Sequence, residues 1–221
     1  MNLITCNPHN EMWFILYTIH KEKCMKKLLF VFALAAIVLV SGCKKEDPWK
    51  DCDQKVTKIE LSDGTWEGVD YTYMKAPVTE FDDLEDMSVT GDVEFEQESV
   101  SKFTVSNGKV NFISESSEGY YDFPSGTNTT DIQNYVTLMN LFMGKQAYTA
   151  SGTKVKWSFE SSAEDLKDEY GTDVPVQYVV SEFKVDYNAL YANEERTKYI
   201  YKFEGKKGNT EVEIKMTLAK Q

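Results

Sequence analysis

The residues of this chain that could do chemistry fall into a few groups, each implying a different ligand or reaction. Cys43 follows Val40-Ser41-Gly42 at the end of an uninterrupted apolar run from Leu28 to Val40. Its thiolate would be a nucleophile, and the small residues Ser41 and Gly42 leave the backbone before it unhindered. Asp92, Glu94, Glu96 and Glu98 alternate along the chain and so project from one face of one strand. They would supply the paired carboxylates of a glycosidase if they stood in a cleft that raised the pKa of one of them; a solvated outer face is the plainer reading. Asp82, Asp83, Glu85 and Asp86, and separately Asp165, Asp168, Glu169 and Asp173, are rich in oxygen ligands, but neither run has the spacing of a calcium loop, so the sequence assigns no metal. Tyr71, Tyr73, Tyr120, Tyr121, Tyr178, Tyr199 and Tyr201 could line a cavity or stack on sugars, because tyrosine joins an apolar ring to a polar tip. No motif points to a catalytic serine, and no cofactor is implied.

Lys26 and Lys27 precede the apolar run and Ser41, Gly42 and Cys43 follow it, which is the order of a secretory signal. The run is about 20 Å long as a helix, short of the roughly twenty residues that span a bilayer core. Val40-Ser41-Gly42-Cys43 resembles the lipobox of bacterial lipoproteins, in which cleavage between Gly42 and Cys43 leaves the cysteine as the lipidated first residue. The charged Lys44-Lys45-Glu46-Asp47 resembles the export signal that follows the cysteine in surface lipoproteins of the Bacteroidetes group. These resemblances imply an outer-membrane protein tethered by lipid on Cys43, at the cell surface rather than facing the periplasm. A second apolar patch, Met12 to Ile19, precedes an already complete signal, so the expected start is Met25. The expected organisation is a signal region over 1–42, a lipidated tether over 43–60 and one β domain over 61–221.

Loss of residues 1–42 removes Lys21, Lys23, Lys26, Lys27, Glu11 and Glu22 from the 24 basic and 36 acidic residues of the chain. The remainder has 20 basic and 34 acidic residues, a formal charge of −14. Such a surface repels phosphate backbones, and its one arginine is Arg196, which excludes nucleic acid as a partner. Both histidines, His9 and His20, fall in the removed segment, which takes away most histidine triads and zinc sites. Once Cys43 is acylated, Cys52 is the remaining thiol and no internal disulfide forms. The domain reads as non-enzymatic.

The elements that must position these residues are mainly strands. Val89, Val93 and Phe95 oppose the acidic row, and Val69, Tyr71 and Tyr73 share one parity. Asn107-Gly108 predicts a type I′ hairpin pairing Val105 with Val110 and Phe103 with Phe112. Further alternation runs through Val155, Trp157 and Phe159; Val176, Tyr178 and Val180; Phe183 and Val185 after a slip near Ser181 that suggests a bulge; Tyr199, Tyr201 and Phe203; and Val212 to Leu218. Two helices interrupt them: about Asp131 to Met143, with Thr130 and Gln133 as capping box and Gly144 as stop, and Ser162 to Tyr170, with Ser161 and Glu164 in capping-box spacing. The expected fold is mainly β, an antiparallel barrel or a two-sheet sandwich with one or two short helices.

Gly64-Thr65-Trp66 is similar to the Gly-x-Trp opening of lipocalins and lipocalin-like bacterial lipoproteins, a resemblance that would span Leu61 to Gln221. It implies a β-barrel with Trp66 closing its floor. In that family a late-strand arginine or lysine covers the tryptophan; here Lys215 is the one candidate considered, and its parity points it outward. The mid-chain helix near Asp131 also departs from the family, whose helix follows the last barrel strand. The expected function is binding of a small apolar or amphipathic ligand, or presentation of a surface; the alternative is a surface glycan-binding protein, less readily a glycan-cleaving one.

Overall fold

The computed structural model describes residues 47–84, 87, 89–182 and 189–221. Ten strands form one continuous antiparallel sheet: β1 (Gln54–Lys55), β2 (Gly64–Pro77), β3 (Asp92–Ser106), β4 (Lys109–Asp122), β5 (Tyr148–Ser151), β6 (Lys154–Ser162), β7 (Val174–Pro175), β8 (Leu190–Ala192), β9 (Lys198–Lys207) and β10 (Thr210–Lys220). Their order is β1-β8-β9-β10-β2-β3-β4-β6-β5, with β7 also on β4. The sheet ends on β1 and β5 and is not closed into a barrel, so the fold fits the sandwich alternative. The helices are α1 (Thr129–Met143), α2 (Ala163–Tyr170) and α3 (Val176–Glu182).

The Asn107-Gly108 turn forms with both residues at positive φ, 53° and 72°, and sets the Val105–Val110 and Phe103–Phe112 pairs. Beyond it the register shifts: Lys102 faces Ser114 and Phe103 faces Phe112, leaving Ile113 as an extra residue. This bulge reverses the parity of β4. Before it Val110 points inward; after it Glu115, Ser117 and Tyr121 do, and all four are buried.

The inner face carries two apolar cores at opposite ends of the long strands. One gathers Trp66, Phe103, Val105, Val110, Leu190, Tyr199, Tyr201, Met216 and Leu218. The other gathers Met74, Phe81, Phe95, Tyr121, Tyr148, Val155 and Trp157 under Ile132, Tyr135, Val136 and Met139 of α1. Between them β2, β3 and β4 place Asp70 and Thr72, Gln97, Ser99 and Ser101, and Glu115 and Ser117 on the same inner parity, a polar waist across the sheet.

Residues 47–60, placed by composition in the tether, belong to the folded body from Trp49 onward. Trp49 packs with Ile200 and Ala219 on the outer side of β9 and β10, β1 pairs with β8, and Val56 and Ile59 enter the first core. Charge-rich composition misleads here because three apolar side chains, well separated, suffice to seat the segment.

The Val176–Val180 stretch, expected as a strand, is helix α3. Its valines favour strands, yet Val176, Val179 and Val180 also stand at i, i+3 and i+4, and packing of that stripe on the first core outweighs local propensity. Phe183, Val185 and most of the anticipated bulge lie outside the described residues. The helix caps are shifted too. Asn128, not Thr130, caps α1, accepting from the Thr130 amide at 2.9 Å. Ser162 and Asp165, one residue on from the expected pair, form the capping box of α2, the Asp165 carboxylate accepting from the Ser162 amide at 2.8 Å. Gly144 ends α1 in the left-handed region, as its position implies.

Candidate functional site

The outer face of β10, β2, β3, β4 and β6 is where the register brings the sequence-nominated tyrosines and carboxylates together. Each strand contributes alternate residues, so cross-strand partners form rows. Tyr73 lies between Glu213 of β10 and Glu96 of β3, and Glu96 is in turn opposite Tyr120 of β4. The next row places Tyr71 between Lys215 and Glu98, with Glu118 beyond. The row after Tyr73 runs Glu211, Lys75, Glu94 and Asp122. Tyr71, Tyr73 and Tyr120 are all partly exposed.

Within this platform the Tyr120 hydroxyl donates to Glu96 Oε2 at 2.9 Å, and Lys154 Nζ stands 3.6 Å from the Tyr120 ring centroid. Lys75 donates to Glu94 Oε1 at 2.8 Å. Burial, then the bond to Glu96, pushes the Tyr120 phenol up to about 12. Burial followed by nearby carboxylates also raises Tyr71 and Tyr73, so all three phenols keep their protons at neutral pH. Glu98 is raised as well, first by burial and then by Glu118 and Glu96 beside it. A face of this kind offers apolar ring edges, phenolic donors and carboxylate acceptors.

The remaining tyrosines of the nominated set separate. Tyr121, Tyr199 and Tyr201 are buried in the two cores, and Tyr178 is exposed on α3. Tyr120 and Tyr121, adjacent on β4, lie on opposite faces, and the Ile113 bulge, which no short motif announces, decides that Tyr121 is the inward one. The acidic runs are dispersed: Asp165 caps α2, Asp173 accepts from Lys109 at 3.0 Å, and Glu85 and Asp86 lie outside the described residues. Among the described residues no group of three or more His, Cys, Asp or Glu side chains could hold a metal ion.

Trp66 is fully buried at the head of β2, its Nε1 donating to the Ser62 carbonyl at 2.8 Å and its ring 6.3 Å from that of Tyr199. Lys215 sits on the outer face opposite Tyr71, as parity requires. The lysine directly opposite Trp66 is instead Lys220, whose Nζ donates to Ser62 Oγ at 3.0 Å. Gly42 and Cys43 lie outside the described residues. Cys52 is half-buried against the Trp49 cluster, and burial, then Asp51, pushes its thiol up to about 11, leaving it a poor nucleophile.

The second core is rich in ring contacts. Phe95 stacks on Trp157 at 5.6 Å, and Tyr121 lies within 6.3 Å of Phe81, Phe95, Phe123, Tyr135 and Trp157. A pocket between Ile59, Leu190, Tyr201 and Met216 has a volume of about 10 Å³, room for one water molecule. In the waist, Gln97 Nε2 donates to Ser99 and Ser117, Ser99 to Ser117, and Ser101 to Glu115.

No family model matches the chain, and neither a curated protein nor a solved structure matches it.

Proposed function

We propose that this chain is a lipid-anchored lipoprotein of the outer membrane, exposed at the cell surface through lipid on Cys43, whose β domain acts without catalysis as a binding module for glycans. The observation that carries the ligand class is the outer-face platform, on which Tyr71 and Tyr73 alternate with Glu94, Glu96, Glu98 and Glu213. Tyrosine rings stack on the apolar faces of sugar rings, and carboxylates accept from sugar hydroxyls, which are donors in abundance. The negative charge selects neutral or amino-bearing glycans over uronic or sulfated ones. The alternative is an apolar or amphipathic ligand carried by the domain.

The test is a glycan array probed with the purified protein. Neutral glycans should be retained, and Tyr71→Ala with Tyr73→Ala should weaken retention at least tenfold, worth about 1.4 kcal/mol, while leaving the melting temperature nearly unchanged. An empty array, together with a lipid co-purifying from the native host and identified by mass spectrometry, would transfer the function to the apolar-ligand reading.

A further inference from the structure

The two cores leave a trench between them on the inner face of the sheet. Register sets Phe203 of β9, Ile214 of β10, Thr72 of β2, Gln97 of β3 and Gly119 of β4 in one row, and every one of them is partly exposed. The row beside it, Tyr201, Met216, Asp70, Ser99 and Ser117, is buried throughout. On the other side Met74, Phe95 and Tyr121 are buried as well. An opening five strands wide, about 19 Å at 4.8 Å per strand, therefore crosses the sheet between two closed rows. Its β9 end is apolar, and at its β4 end the Trp157 indole lies over Gly119.

Asp70 borders this trench, and the protein gives its carboxyl little to hold. Among the described residues its hydrogen-bond partner is the Thr72 hydroxyl at 3.5 Å, which stands in the partly exposed row, so the carboxyl is turned toward the opening. Ser99, directly opposite, donates to Ser117 at 2.8 Å, and Gln97 Nε2 donates to both serines. Neither the row of Asp70 nor the row on each side of it contains a lysine or arginine. Buried polar groups are paired as a rule, and a buried carboxyl without a cation or a well-placed donor calls for a partner from outside the chain.

We infer that the trench is a binding site for a small organic cation, whose ammonium group meets Asp70 and whose apolar body lies on Ile214 and Phe203. A protonated amine brings both the positive charge and the N–H donors that the carboxyl lacks. Gln97, whose Nε2 is turned to the serines, keeps its amide oxygen as a further acceptor in the same row. A bare metal ion fits less well: among the described residues no three His, Cys, Asp or Glu side chains gather to hold one, and the apolar half of the trench would offer it nothing. The site lies on the opposite face of the sheet from the tyrosine platform and rests neither on glycan binding nor on membrane anchoring.

The probe is 4-phenylbutylamine, with 4-phenylbutanol as its uncharged counterpart. Each is titrated into the detergent-solubilised full chain, labelled with carbon-13 at the methionine methyls, at pH 8, above the value of about 7 that burial gives Asp70. The amine should saturably shift the methyl resonance of Met216, directly opposite Asp70 on β10. It should bind about tenfold more tightly than the alcohol, the margin of a hydrogen bond between charged groups. Asp70→Asn should remove that margin and leave the affinity for the alcohol as it was. Phe203→Ala should weaken amine and alcohol alike, because the ring carries the body common to both, and this arm stands even if Asp70→Asn does not fold. A Met216 methyl that does not move, equal wild-type affinities for amine and alcohol, a preference that survives Asp70→Asn, or indifference of both ligands to Phe203→Ala would each overturn the inference.

Discussion

Asp70 is a carboxyl placed in the inner waist of the sheet, between Ser99 on β3 and Met216 on β10, and it is 8% exposed. Its nearest hydrogen-bonding partner is the Thr72 hydroxyl at 3.5 Å, a long contact that does little to offset lost hydration. Burial accordingly pushes its pKa from the ordinary 3.8 to about 7, and the Thr72 bond opposes this only weakly. The raised value means that the folded protein holds the proton more tightly than the unfolded chain. The resulting stabilisation is fully present below the unfolded pKa near 3.8 and is lost as pH rises toward 7. Asp70→Asn should therefore flatten the pH dependence of stability between about pH 4 and pH 7 and raise stability at pH 7.5 by on the order of a few kcal/mol, several degrees in melting temperature for a domain of this size. Thermal melts of both proteins across that pH range check it. A variant less stable than wild type at pH 7.5 would show that a charge partner, not burial, governs the carboxyl.

At the scale of elements, one inserted residue decides which tyrosine is available to solvent. Ile113 has no partner on β3, and because of it Tyr121 joins the second core while Tyr120 reaches the outer face. The bulge is followed by a close approach: a Cβ on Gly119 would run into the Glu96 carbonyl oxygen and the Trp157 ring, so the indole lies directly over the glycine. Gly119→Ala should cost about 2 kcal/mol or more, measurable by urea denaturation, since neither a strand backbone nor a stacked indole yields readily. Much of the surrounding architecture was legible in the sequence for local reasons. Asn107-Gly108 dictates its own turn, and Val93 and Phe95 alternate with Glu94 and Glu96 strictly enough to assign both faces of β3. What escaped depends on distant partners. The valines of α3 satisfy two periodicities, and only the first core selects the helical one. Tyr120 and Tyr121 cannot be assigned to faces without counting the bulge against the opposite strand. Asn140 gives no local sign that its side chain donates to the Tyr148 carbonyl and accepts from the Tyr148 amide, at 2.9 and 2.8 Å, thereby covering part of the β5 edge.

With the proposed acylation of Cys43 the whole molecule would join an acidic body to a lipid tether, and these two features would act in opposite senses at a membrane. Cleaved before Cys43 as proposed, the chain would carry a charge of −14 and be repelled by anionic headgroups, so no electrostatic attraction would help hold the domain down. Each buried methylene of a lipid chain contributes about 0.8 kcal/mol, and two or more chains hold stably where one does not. Under the proposed acylation of Cys43, retention should therefore be independent of ionic strength. A wash in 1 M salt, which shortens the screening length to about 3 Å and releases proteins held by surface charge, should leave the wild-type chain in the membrane fraction. Cys43→Ala should lose radioactive palmitate incorporation and leave that fraction. The melting temperature of its folded domain should be unchanged, because the residues that seat the amino-terminal segment begin at Trp49. Release of the wild-type protein by salt alone would mean that contacts of the folded body, and not lipid on one cysteine, hold the chain at the membrane.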